Sequence, residues 1–455
     1  VITAPRARAE RTARWAPTAV PVAAAAVVCA TVAVGLAFQA AQPAGLGDDR
    51  FGHFGTPLSP FIVNWAPVLR WPALTCLQVA IAVVVCLACV WCAPMVIASR
   101  RAPAAFGVLA YLVTAAIGLA VNAARSGTGG WDHVFALGPH GSSEASREYL
   151  TALRLLHGGI PHYVRHYAAL LPYLPTHAKG NPPGPVVVMD LLHLTTPGRL
   201  AAACIAAGAL TGPLAYGLGR ALGGERRGRT AAALTAFSPS VVLFGVTSMD
   251  YAFAALGTAA AWLLVSPRSR ARLGGCLVAA LASFFSWLLL AIPVWAVLVV
   301  ARREGLRPAI VTATGVAVAL LAVNGALALT LGYDPIAVVR ALAPIYAHGI
   351  ATTRPYAFWL FGSPTAWLVM LGLPTAWLAC RAAGRGEAAG IALATIVVVS
   401  ALAGFTKAET ERIWLPFVPL ACVAAASRPV PRIRLVLLAL AAQALVIELL
   451  FNTIW

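Results

Sequence analysis

One polar stretch, about 125–182, gathers residue types able to do acid–base work. It holds Asp132, Glu144, Glu148 and six of the nine histidines, at positions 133, 140, 157, 162, 166 and 177. The whole chain of 455 residues has only 15 acids, so this concentration marks a candidate site. The stretch closes on His177-Ala-Lys179-Gly-Asn181-Pro182-Pro183-Gly184-Pro185. Pro-Pro fixes the backbone there and Gly allows close approach, with His177, Lys179 and Asn181 clustered beside it. Lys407 is the only other lysine and lies in Phe405-Thr-Lys407-Ala-Glu409-Thr-Glu411-Arg412-Ile-Trp414. Lysine and arginine beside a headgroup plane suit a phosphate, and Glu411 is placed to orient Arg412. Asp250 sits in a third spot, the apolar-flanked hairpin Thr247-Ser-Met-Asp250-Tyr251. Carboxylates of this kind can take a proton from a hydroxyl, while the cations meet negative charge on a leaving group. A carboxylate at 144 or 148 also serves simply to cap and solvate a helix.

The polar stretch needs its own scaffold. Ser142-Ser143-Glu144 followed by Leu150, Leu153, Leu155 and Leu156 predicts a capped amphipathic helix, ended by Gly158-Gly159. A second short helix over about 162–172 puts Tyr163 and Tyr167 on one stripe and His162 and His166 on its neighbour. Such helices lie in a membrane interface. The histidine pair has metal-ligand spacing without a third ligand, so an interfacial aromatic surface is the better reading and no metal site is assigned. Cys86, Cys89 and Cys92 form an i, i+3, i+6 stripe that reads as small buried apolar residues.

The rest of the chain is lipid-soluble: 60% hydrophobic, 11% charged, mean hydropathy +0.82. Soluble domains carry about twice that charge fraction. The net charge of +18 does not imply nucleic acid, because the basic residues stand singly between apolar runs and read as topology signals. Apolar runs of spanning length fall near 16–40, 73–97, 103–123, 198–219, 230–247, 251–266, 308–331, 364–380, 388–404, 413–427 and 434–452. The run 273–301 fits one tilted helix or two short ones meeting at Ser283-Phe-Phe-Ser286. Two helices keep Arg268, Arg270 and Arg272 on the same side as Arg302, Arg303 and Arg307. The expectation is an all-α bundle of about 13 spans, N-terminus cytoplasmic, C-terminus outside, in a bacterial plasma membrane. Arg6, Arg8, Arg11 and Arg14 precede the first run, which reads as a retained span, with a removable signal as the alternative. On this topology Asp48, Asp49, Asp132, Glu144, Glu148, Asp250, Asp334, Glu409 and Glu411 all fall outside, which makes the extracytoplasmic face the working one. Residues 1–100 read as a two-span appendage around Asp48-Asp49-Arg50, and 101–455 as the catalytic module with its loop 125–182.

The polar loop, the Asp250 hairpin and the Lys407–Trp414 run together resemble the GT-C superfamily of integral-membrane glycosyltransferases. The likeness is to the protein mannosyltransferase and aminoarabinose transferase type, glycosyltransferase family 39-like. It touches most of 103–455 through short motifs: a long first outer loop with an acid near its start, a His-x-Pro-Pro-Gly-like return into the membrane, and paired short helices with a second acid. Two departures stand. The loop follows the third span instead of the first, and the family's Asp-Glu pair is replaced by Asp132-His133 and Arg147-Glu148. The resemblance implies transfer of a sugar from a polyprenyl-phosphate donor to an acceptor hydroxyl, with inversion, among membrane lipids. It puts the base at Glu148 or Asp132, a supporting acid at Asp250, and phosphate binding at Lys179, Lys407 and Arg412; the residues clustered with these cations add His177, Asn181 and Glu411 as candidate substrate contacts. No cofactor is required, although some relatives use a divalent cation; no Gly-rich phosphate loop is present. The rival reading is a transporter or lipid flippase, which would place charge at the bilayer midplane, where only Asp190 and Glu448 are candidates.

Overall fold

The computed structural model describes residues 16–40, 63–64, 76–138 and 141–453. The N-terminal arginines, Asp48-Asp49-Arg50 and His140 lie outside these residues. The described chain is helical apart from a two-residue antiparallel pair, Val63–Asn64 with Asn452–Thr453. In chain order the bundle helices are α1 (Ala16–Ala40), α2 (Cys76–Ala98), α3 (Pro103–Ser126), α4 (Pro197–Gly208), α5 (Thr211–Phe237), α6 (Pro239–Thr247), α7 (Asp250–Leu264) and α8 (Ser269–Ala282). They continue with α9 (Ala291–Glu304), α10 (Leu306–Leu331), α11 (Pro335–His348), α12 (Tyr356–Leu371), α13 (Leu373–Gly384), α14 (Ala388–Ala403), α15 (Val418–Ala425) and α16 (Ile433–Leu450). Proline opens α3, α4, α6 and α11, where its missing N–H costs nothing. Side-chain caps do the rest: Thr196 accepts from Arg199 N–H at 3.3 Å, and Asp334 accepts from Ile336 and Ala337 N–H at 2.9 Å each. Asp334 is therefore a helix cap.

Among the described residues six helices are long and apolar enough to cross a membrane, or up to seven if the bent pair α12–α13 is one span. The bend is 115° and falls at Gly372, whose φ of 99° suits glycine. The single straight span expected over 364–380 is thus a broken one. The expected 413–427 span is shorter than anticipated: α15 has 8 residues, all buried. Between 198 and 247 the chain turns at Ala209–Leu210, at Gly223–Gly224 and at Ser238, giving α4, a kinked α5 and α6. In the ambiguous stretch, α8 ends at Ala282, and a 3-10 turn Trp287–Leu290 leads into α9. The ends of this hairpin meet, with Arg272 Nη2 2.9 Å from Glu304 Oε1, as the two-helix reading requires.

The core is α5, α6, α7 and α15, with every residue of α6 and α15 buried. Around it, α2 packs on α3, α10 on α8 and α9, and α1 on α12 and α13. On α10, Ile310, Val311, Leu321 and Leu329 are exposed, as a helix facing lipid would be. One end of the bundle is tied by arginines. Buried Arg229 donates to the carbonyls of Val96 and Arg101 (3.3 and 2.8 Å), and Arg227 pairs with Glu387 at 2.7 Å. The second carboxylate oxygen of Glu387 caps α14 through Gly390 N–H at 2.8 Å. The polar loop leaves α3 at the other end.

Candidate functional site

The loop does not form the expected continuous amphipathic helix. Ser142 Oγ accepts from Glu144 N–H at 3.1 Å and starts a 3-10 turn, Ser143–Arg147. The backbone then extends at Glu148 (φ −79°, ψ 169°), and a second 3-10 helix runs Tyr149–Leu156, burying Tyr149, Ala152 and Leu156. The break turns the Glu148 side chain inward: it is 1% exposed and makes no capping hydrogen bond. The short helices Gly159–Arg165 and Tyr167–Leu170 follow, with the two stripes as expected. Tyr163 and Tyr167 are buried edge to face at 5.4 Å, while His162 and His166 stack at 4.3 Å on the exposed side.

Those buried rings fix the return into the bundle. The Tyr167 hydroxyl lies 2.7 Å from the carbonyl oxygens of both Ala178 and Asn181. Asn181 Nδ2 in turn donates to the Tyr149 hydroxyl at 2.9 Å and to the His177 carbonyl at 3.1 Å. Gly184 N–H donates to Phe284 O at 2.9 Å, within the break between α8 and α9. A Cβ at 184 would stand 2.2 Å from that oxygen, so the close approach implied by Pro-Pro-Gly is to backbone.

Three segments converge on one guanidinium. Arg412 Nη1 donates to Asp250 Oδ2, at the start of α7. Arg412 Nη2 reaches Glu409 Oε2 at 3.0 Å and His177 Nδ1 at 3.2 Å. Because arginine only donates, His177 Nδ1 accepts and the ring proton sits on Nε2. Glu409 shares its other oxygen with Arg354 at 3.0 Å. Asp250 is held from behind as well: the Ser248 hydroxyl donates to Oδ2 at 2.8 Å, and the next ring, Tyr251, packs flat against Gly208. Ala408 and Glu409 both adopt positive φ, 63° and 57°, a strained backbone kept where the surroundings impose it.

The electrostatics follow from burial. Burial pushes the Glu148 carboxyl up to about 8; Arg412 opposes the shift, and Asp250 and Glu144 add to it. Glu148 Oε2 has no hydrogen-bond partner among the described residues. Burial and the Arg412 charge push His177 down to about 3, so the ring is neutral. Burial would raise Glu409, but Arg412 and Arg354 outweigh it and hold the carboxyl down to about 2. At neutral pH the site thus combines ionised Glu409, neutral His177 and a mostly protonated Glu148.

Of the residues singled out by sequence, Glu148, Asp250, His177, Asn181 and Arg412 come together. Asp132 lies against Gly198 at the start of α4, and the charges acting on Glu148 are Arg412, Asp250 and Glu144. Lys179 Nζ is 3.5 Å from Pro172 O, on the loop surface. Lys407 Nζ lies over the Tyr356 ring at 5.9 Å, beside the exposed Phe405. Glu411 is buried, and the carboxylates of Asp250 and Glu409 lie on Arg412. Glu409 and Arg354 went unassigned; their signal was present in the i, i+3 spacing of Glu409 to Arg412. Trp414 is fully buried against Trp367 and Phe417, so it anchors the run in protein.

Among the described residues no three His, Cys, Asp or Glu side chains converge to hold a metal ion. Asp250 and Glu409 face arginines, and the buried Glu148 Oε2 has no hydrogen-bond partner among the described residues. No family model, no curated protein and no solved structure matches the chain.

Proposed function

We propose that this chain is a membrane glycosyltransferase of GT-C type, with about 13 crossings once its short helices are counted. It would move a sugar from a polyprenyl-phosphate donor to an acceptor hydroxyl on the extracytoplasmic face of a bacterial plasma membrane. The observation that carries the reading is Glu148: a buried carboxyl with an unpartnered oxygen, pushed up to about 8, under a polar loop. A general base works best with its pKa near the operating pH. Glu148 takes the acceptor hydroxyl proton as that oxygen bonds to the anomeric carbon. The bond from that carbon to the phosphate oxygen breaks on the opposite side, configuration inverts, and polyprenyl phosphate departs with the electron pair. Asp250 supports as the partner of Arg412. Lys407, half-buried beside an exposed aromatic edge, is the cation best suited to the departing lipid phosphate, with Lys179 on the loop as a second.

The carrier reading draws on Glu448, which is buried and lies 3.8 Å from Arg125. Both residues sit in the last turns of their helices, α16 and α3, at the loop end and not mid-helix. A coupling charge belongs at the midplane, so this placement favours the enzyme. The test is sugar transfer in membranes from radiolabelled polyprenyl-phosphate sugars to a broad acceptor extract, comparing the parent with Glu148→Gln, Asp250→Asn and Asp132→Asn. Transfer that is lost in folded Glu148→Gln and kept in Asp132→Asn supports the reading. A folded parent that transfers from no donor overturns it in favour of the carrier.

A further inference from the structure

Arg412 was expected to bind phosphate, and its surroundings argue for a different task. Its two terminal nitrogens face Asp250, Glu409 and His177, and the residue is 4% exposed. Buried and shared by two carboxylates, this guanidinium is not open to a lipid phosphate. Its contacts instead join parts of the chain that are otherwise separate. Asp250 belongs to the bundle, Glu409 to the strained turn before Arg412, and His177 to the loop. From His177 the hydrogen-bond path continues through Asn181 to the Tyr149 hydroxyl, one residue from Glu148.

We infer that Arg412 is a positioning residue: a buried clasp that locks the polar loop, and with it Glu148, onto α7. Each end of the clasp is specific. His177 accepts with Nδ1 and stays neutral, so it can hold Arg412 without competing for its carboxylates. Glu409 tempers the guanidinium, being shared with Arg354, so part of the Arg412 charge remains to act on Glu148. The charged and titratable groups coupled to Glu148 are Arg412 from the 407–414 run, Asp250 from α7, Cys204 from α4, and Glu144 and Tyr149 from the loop. Arg412 is the only cation among them. Removing it therefore strands Asp250 and Glu148 together, and both will hold protons more tightly.

The catalytic consequence rests on the proposed transfer reaction; the titration does not. Purified full-length protein is titrated by infrared difference spectroscopy, and the protonated Glu148 band is identified by its loss in Glu148→Gln. The expected midpoint near 8 moves up by about one to three units in Arg412→Gln, and by less in Arg412→Lys. Glu409→Gln moves it the other way, because Arg412 is then less neutralised. An unchanged midpoint in folded Arg412→Gln and Arg412→Lys overturns the inference. If Arg412→Gln does not fold, Arg412→Lys and Glu409→Gln decide by the opposite signs of their shifts; equal or absent shifts overturn it. Where the parent transfers sugar, Arg412→Lys lowers kcat and moves the rising pH limb upward while KM for the lipid-phosphate donor holds. A raised donor KM with an unmoved limb returns Arg412 to phosphate binding. A parent without transfer activity, but with the titration shifts, sinks the proposed function and leaves the clasp standing.

Discussion

At the scale of residues, one buried carboxyl stands apart from its neighbours. Glu409 and Asp250 are held by arginines, whereas Glu148 has an oxygen without a hydrogen-bond partner among the described residues. Removing a general base costs about 10² to 10⁴ in rate, so Glu148→Gln is expected to lose transfer by that factor in the same membrane assay. The pH profile of kcat/KM should rise with pH to a plateau, with its midpoint near 8, because the base acts only when deprotonated. Stability runs the opposite way. The folded value for Glu148 lies above its ordinary 4.5, so its contribution is complete below about that pH and is lost as pH rises through 8. For His177, held down to about 3 from 6.5, the contribution is present above 6.5 and lost as pH falls toward 3. Thermal melts in detergent check both: the parent Tm should decline from about pH 6.5, where the opposing His177 contribution is complete, to about pH 8 and level off above it, and Glu148→Gln should flatten the decline.

At the scale of elements, the site is held by two close backbone approaches that only glycine permits. A Cβ at Gly208 would stand 1.9 Å from the Tyr251 ring, next to Asp250, and one at Gly184 would stand 2.2 Å from Phe284 O. Overpacking of a tight contact costs about 1–3 kcal/mol. Gly208→Ala and Gly184→Ala should each lower Tm and transfer, whereas Gly274→Ala, with nothing within 4 Å of the new Cβ, should leave both near parent values. Equal tolerance at all three positions, read by melting in detergent, would show that neither approach constrains the site. The two-helix reading of 273–301 was legible because arginines flank both ends. The loop helix was not read correctly: Leu150, Leu153, Leu155 and Leu156 fit an α-helical stripe, but burial of Glu148 and Tyr149 breaks it into 3-10 turns.

At the scale of the whole molecule, ion pairs sort the loops onto two ends. Arg229 with 99–101, Arg227 with Glu387 and Arg272 with Glu304 tie one end; the Arg412 clasp ties the other. The proposed orientation puts the clasp outside. With the exposed Cys29 and Cys92 replaced by alanine, His157→Cys should react with a membrane-impermeant maleimide in intact cells, and Gly386→Cys only after lysis. The reverse pattern would place the site on the cytoplasmic side and remove the case for an extracytoplasmic donor.

Apolar length and charge spacing are local properties, so the amino-acid order alone gives the membrane class, most helical segments, the break at Ser283–Ser286 and the three runs that meet at Arg412. Which acid meets which cation was decided only by the tertiary structure. Asp250 and Arg412 are 162 positions apart, and the reach of Glu409 to Arg412 comes with a left-handed turn at Ala408–Glu409. The burial that lifts Glu148 into working range is likewise a property of the packed loop: the same carboxyl on an isolated, solvated helix would keep its ordinary value.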